Sequence, residues 1–174
     1  ARVILTPIIT DFIARKQTIE QALQQVDKWR AESSHRVMFD RRFKLMIDGA
    51  IYSGLAQFMF PGYIDGHKGV WMVPHDVTEK WAQAFWDEGY QIHAHTNGDG
   101  SAEMLINLLK TLQANTPTAD HRLSLEHFAY TTEDQNRQLA ELGAVVSANP
   151  YYHFILSDIY SDQWLGADRG NQMV

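Results

Sequence analysis

A chain of 174 residues that is 45% hydrophobic and 21% charged carries enough apolar material for one folded core and too much to stay disordered. No apolar run approaches the roughly 20 residues of a membrane span, and a net charge of −6 with no cluster of Lys and Arg argues against nucleic acid or an acidic membrane as partner. The lack of cysteine removes disulfide scaffolds and thiolate sites, while eight histidines are a high count that asks for a reason. No charged-then-apolar leader opens the sequence, which favours a cytoplasmic setting.

In chain order, Arg2–Ile9 is a short β-branched run that reads as a strand, with Pro7 weakening its second half. Thr18–Ala31 spaces Ile19, Ala22, Leu23, Val26 and Trp29 near a 3.6 period behind a Thr18 N-cap, the pattern of an amphipathic helix. Phe43–Ile47 is a second strand, closed by the turn pair Asp48-Gly49. Residues 49–76 then form a long loop with four further glycines and two prolines, a length that suits a lid over a site. Its aromatics (Tyr52, Phe58, Phe60, Tyr63, Trp71) either meet an apolar substrate group or pack the loop down, the second being favoured.

Beyond the loop the rhythm is regular. Helix 78–88 ends at Gly89, strand 90–95 follows, then helix 100–113, strand 122–127, helix 132–142 ending at Gly143, and strand 144–148. Five strands alternating with helices of ordinary length predict an α/β fold with a parallel sheet.

Parallel α/β folds assemble their sites at the carboxyl ends of the strands. His95 ends one predicted strand and His127 the next, while His153 is expected in the loop after the fifth. Alternation places Lys44, Met46 and Asp48 on one face, Gln91, His93 and His95 on another, and Leu123, Leu125 and His127 on a third. Should those faces converge, two imidazoles and a lysine meet. The plainer alternative is that each histidine is a hydrogen-bonded structural residue. Asp99 suits a helix cap as well as a catalytic role, and Glu126, which alternation turns away from His127, reads as structural.

Three landmarks in order, His95-Thr96-Asn97-Gly98-Asp99, Arg122 through Glu126-His127, and Gly143 through Pro150, resemble the amidohydrolase superfamily. The similarity is to the branch that contains N-substituted formamide deformylases. Lys44 through Asp48-Gly49 resembles that branch's strand-four lysine and turn, and Leu165 through Arg169 a segment beyond strand seven. The resemblance implies a TIM (β/α)8 barrel, with His95 and His127 as metal ligands from strands five and six. It implies that Lys44 is the strand-four residue, carboxylated to bridge two divalent ions in binuclear members, with zinc the expected metal. The implied chemistry is hydrolysis of an amide or related C–N bond of a small molecule by a metal-activated hydroxide, with His153 and Asp48 contacting substrate.

The family's first-strand His-x-His pair has no counterpart before Lys44, and its last-strand aspartate is not found. His93 stands where an apolar residue is usual, either as a second ligand or as an inward polar group. The expectation is therefore a single incomplete barrel domain over 1–174, about strands three to seven and an internal fragment, whose exposed edges invite association with another chain. The competing readings are a non-catalytic or degenerate α/β binding or regulatory module of the same superfamily and, more weakly, a doubly wound nucleotide-binding domain, for which no Gly-rich phosphate loop follows the first strand.

Overall fold

Apolar residues at every second position of three successive strands decide the layering. Phe43 and Leu45, Ile92 and Ala94, and Leu123 and Leu125 are all fully buried, and they face one way against a helical layer. The computed structural model describes residues 2–173. Its central sheet is parallel and four-stranded, in the order β3 (Arg42–Met46), β4 (Gln91–Thr96), β5 (Ser124–His127) and β6 (Val145–Ala148). The crossovers are α3 (His75–Asp87), α4 (Asp99–Asn115) and α5 (Glu133–Glu141). Phe85, Trp81, Leu105 and Leu109 from these helices close the core against the sheet. Helices cover one face only, as in a segment of a (β/α) barrel, and the opposite face carries the polar alternates Lys44, His93, His95 and Glu126.

The amino-terminal part is built differently from its sequence pattern. The expected strand 2–9 divides into β1 (Val3–Leu5), a single bridge from Ile8 to Lys44, and a short helix α1 (Ile9–Ala14). Pro7, which cannot donate, accepts instead, its carbonyl taking the Lys44 N–H at 2.8 Å. Helix α2 (Ile19–Ala31) begins at Thr18 as predicted, with Thr18 and Gln21 exchanging side-chain and backbone bonds in a capping box. A strand the sequence did not announce, β2 (Val37–Phe39), pairs in parallel with β1.

Segment 49–76 is an ordered cover. Gly49 donates to the carbonyls of Leu55 and Val70, Met72 donates to Ile47, and Ile51–Ser53 forms one 3₁₀ turn. Its aromatics divide: Tyr63 is buried and Phe58 packs edge-on against Tyr63, Tyr130 and Tyr160, whereas Tyr52 and Phe60 stand in solvent. The tail forms α6 (Tyr151–Ile159), one wide turn at Tyr160–Trp164, and α7 (Ala167–Gly170), and its Leu156, Tyr160, Leu165 and Met173 pack with Ile51, Tyr63 and Tyr130 into a second small core. The outer strand β6 is exposed along its length. No helix among the described residues is long and apolar enough to cross a membrane.

Candidate metal and active face

The site is assembled at the carboxyl ends of β4 and β5. His95 lies on the open face of β4 by simple alternation, in register with Met46 and Glu126. His127 reaches it by an exception. Its register partners are Thr96 and Ala148, and alternation with the buried Leu123 and Leu125 would send its ring into the helical layer. Instead His127 has φ 76° and Phe128 φ 47°, the left-handed region that costs a non-glycine residue about 1 kcal/mol or more. This turn at the strand end brings the two imidazoles together, with ring centroids 4.4 Å apart. The expected convergence of His95 and His127 is therefore real, reached by backbone strain and not by the strand's pleat.

Each ring is held by a residue that the sequence reading did not select. Asn97 Nδ2 donates to His95 Nε2 at 2.8 Å and to the Gly49 carbonyl at 3.0 Å. The Tyr152 hydroxyl lies 3.3 Å from His127 Nδ1. Burial, then the neighbouring His127 and Lys44, pushes His95 down to about 4, and burial followed by Lys44 lowers His127. Both rings are thus neutral near pH 7, the state a metal requires of imidazole.

Lys44 shares the open face with both rings and is engaged there by Glu126. Its ammonium pairs with Glu126, whose other carboxylate oxygen takes His93 Nδ1 at 2.7 Å. Glu126 was expected to be structural because it points away from His127's place in the alternation. That same alternation puts it on the face of His93 and His95, and His127 is the residue that departs. The polar pattern Ser124-x-Glu126 opposite Leu123-x-Leu125 was the available signal. Burial lowers both Lys44 and His93 from their ordinary values.

Asp48 and His153 occupy positions unlike those expected. Asp48 is fully buried, and its oxygens accept from Asn97 N, Gly98 N, Gln57 N and Ser101 Oγ, all at 2.8–3.0 Å. It bolts the 49–76 segment to the turn between β4 and α4 and has no face toward the open side; burial raises it to about 6. Gly98 is required in that turn, since a Cβ there would lie 1.9 Å from the Gln57 carbonyl oxygen. His153 lies in α6 and not in a loop, exposed, with Nδ1 3.2 Å from the Met173 carbonyl. Asp99 is not the N-cap, which is Gly98, but the first helical residue. Its carboxylate takes Met59 N at 2.9 Å and lies 3.4 Å from Arg169.

The family question is decided by the sequence profile of the amidohydrolase family, which matches residues 2–173. The chain belongs to the amidohydrolase family. Two solved structures, uncharacterized metal-dependent hydrolases from Pyrococcus furiosus and Pyrococcus horikoshii OT3, share its fold with TM-scores of 0.66 and 0.66 at 18% and 17% identity. The alignments cover 86% of this chain but 31% and 30% of those chains, so it spans about a third of their length. No curated protein matches the sequence.

Whether a metal suits this amidohydrolase chain is tested by its donors. His95 and His127 bring together two imidazoles, a residue type that suits a zinc-type centre, with His95 Nε2 engaged by the Asn97 amide. Among the described residues, no group of three or more His, Cys, Asp and Glu side chains is arranged to hold an ion. The residues therefore fit part of a coordination shell.

Proposed function

We propose that this chain supplies the strand-five and strand-six part of the active face of a divalent-metal-dependent amidohydrolase, zinc being the expected ion, which cleaves an amide or related C–N bond of a small molecule. The observation that carries the reading is the His95–His127 pair, two neutral imidazoles in ring contact at the carboxyl ends of adjacent parallel strands. An ion held there supplies Lewis acidity and an acidified water. The chain's own part is positional: Asn97 and Tyr152 fix the two rings, and the Asp48 network holds the 49–76 segment over the strand ends. Lys44 and Glu126 set the charge beneath the pair, and His153, being exposed on α6, is available to a substrate beside the site.

The similarity of residues 95–99 and 122–127 to N-substituted formamide deformylases selects the assay. Zinc-supplemented protein is given a panel of N-substituted formamides and other small amides, beside His95→Ala and His127→Ala. Turnover abolished by both substitutions supports the reading, and turnover that survives them contradicts it. A second reading, a binding module of the same family without catalysis, is favoured by the absence of a third ligand among the described residues. Zinc binding without turnover of any panel member is its signature.

A further inference from the structure

The helical layer holds a hollow that the metal face does not use. It opens between α3 and α4, on the side of the sheet away from His95 and His127, and measures about 350 Å³, within the range of small-molecule sites. Trp71 forms its wall, Met104 and Leu108 its floor, and Glu79 and Glu103 face it from the two helices. The wall is preformed. Val70 N–H donates to the Leu55 carbonyl at 2.9 Å and Met72 N–H to the Ile47 carbonyl at 3.0 Å, which clamps the backbone on both sides of Trp71. The His75 ring stands perpendicular to the indole at 4.3 Å, yet Trp71 keeps 37% of its surface exposed.

The charges at the hollow are of one sign. Asp76 takes Lys80 and Asp99 takes Arg169, whereas among the described residues neither Glu79 nor Glu103 has a cation. Buried Gln135 donates Nε2 to Glu103 Oε2 at 3.2 Å, which orients that carboxylate and leaves Oε1 unengaged among the described residues. The helix dipole does not account for the two glutamates. Both lie on the second turn, and the first-turn positions that favour an acid are already held by Asp76 and Asp99. Nor do His75, Glu79 and Glu103 make a metal site, since among the described residues no three such side chains are arranged to hold an ion. The complement that remains is an organic cation: an indole face and carboxylates both attract positive charge, and Met104 and Leu108 receive hydrocarbon. We propose that this hollow binds a small organic ammonium ion with a hydrocarbon body, at a ligand site independent of the metal face.

The probe is phenethylammonium, with hydrocinnamate as the matched anion, added to the ¹⁵N-labelled full chain near pH 7 and followed by ¹H–¹⁵N correlation spectra. The expected result is saturable shifts at the Trp71 indole N–H and the Glu103 and Asn107 amides with the cation and none with the anion. In Glu79→Gln/Glu103→Gln the affinity should fall about tenfold. Glutamine keeps the shape of each side chain and the acceptor for Gln135, so the fold is retained. Trp71→Leu, checked for folding by circular dichroism, should weaken binding as well. Shifts that are absent or do not saturate, equal binding of hydrocinnamate, or an unchanged affinity in the folded double variant would overturn the proposal. Shifts centred on the His95 and Asn97 amides would place the cation on the metal face and overturn it equally.

Discussion

Replacing Asp48 by alanine should destabilise the protein by several kcal/mol, and by more in acid than at neutral pH. The substitution strips the acceptor from four donors. Ser101 Oγ has a second partner in the Gly98 carbonyl at 2.8 Å, but the N–H groups of Gln57 and Asn97 have no other acceptor, and Gly98 N keeps only a 3.2 Å contact to Ser101 Oγ. Each buried orphan donor costs about 1–3 kcal/mol, which brings the gross loss to roughly 3–9 kcal/mol. Against this, the carboxylate itself carries a penalty when ionised, since burial lifts it from 3.8 to about 6. That difference is worth about 3 kcal/mol, relieved in the variant at pH 7. The net expectation at pH 7 is a loss of roughly 3 kcal/mol, a large part of the 5–15 kcal/mol of a typical domain. The sign of the pH effect follows from the raised value. Between pH 3.8 and 6 the folded state binds a proton that the unfolded state does not, so this group's contribution falls as pH rises through that window. Wild type and Asp48→Ala therefore differ more at pH 5 than at pH 7. Urea unfolding followed by circular dichroism at both pH values gives the two differences. A variant within about 0.5 kcal/mol of wild type at both, or a smaller difference at pH 5, would refute the reasoning.

Three further expectations concern the site and its cover. His95→Gln should make folding less acid-sensitive: the folded value near 4 lies below the unfolded 6.5, so the wild-type residue loses stability as pH falls from 6.5 toward 4, and the loss between pH 7 and 5 in urea unfolding should be smaller in the variant. Arg169 stacks between Phe58 and Tyr130, donates to the Gly62 carbonyl at 2.8 Å and pairs with the buried Asp99. Its replacement by Ala should cost about 1–3 kcal/mol and open residues 58–63 to limited proteolysis, with an unchanged cleavage pattern as the contrary result. Gly98→Ala, which would drive a Cβ into the Gln57 carbonyl, should yield little folded protein, and wild-type expression with an unchanged melting temperature would show that the turn can shift.

The alternation from β3 to β6 was legible because its signals are local and repeated. Helical periods between β-branched runs, the Thr18–Gln21 cap and the glycines closing α3 and α5 each point to the same alternation, and the family profile and solved folds agree with it. What was not legible depends on tertiary context. β2 is three residues long and gains its place only by pairing with β1. Helix α6 is not announced by the pattern of Tyr151–Ile159, which is apolar nearly all round, and His153 lies within it. Asp48 lies two residues past the end of β3, where the pleat no longer governs direction, so its alternation with Lys44 failed. Glu126 reaches the open face by ordinary alternation, whereas His127 joins it only through its positive φ, which no residue pattern announces.

The central claim is that His95 and His127 together bind a divalent ion, and zinc uptake by equilibrium dialysis near pH 7 tests it most directly. Wild-type protein and the double variant His95→Ala/His127→Ala are compared after both are shown to fold. The account predicts zinc retained by the wild type, up to one ion per chain, and lost from the variant. Equal zinc in the two proteins would contradict it.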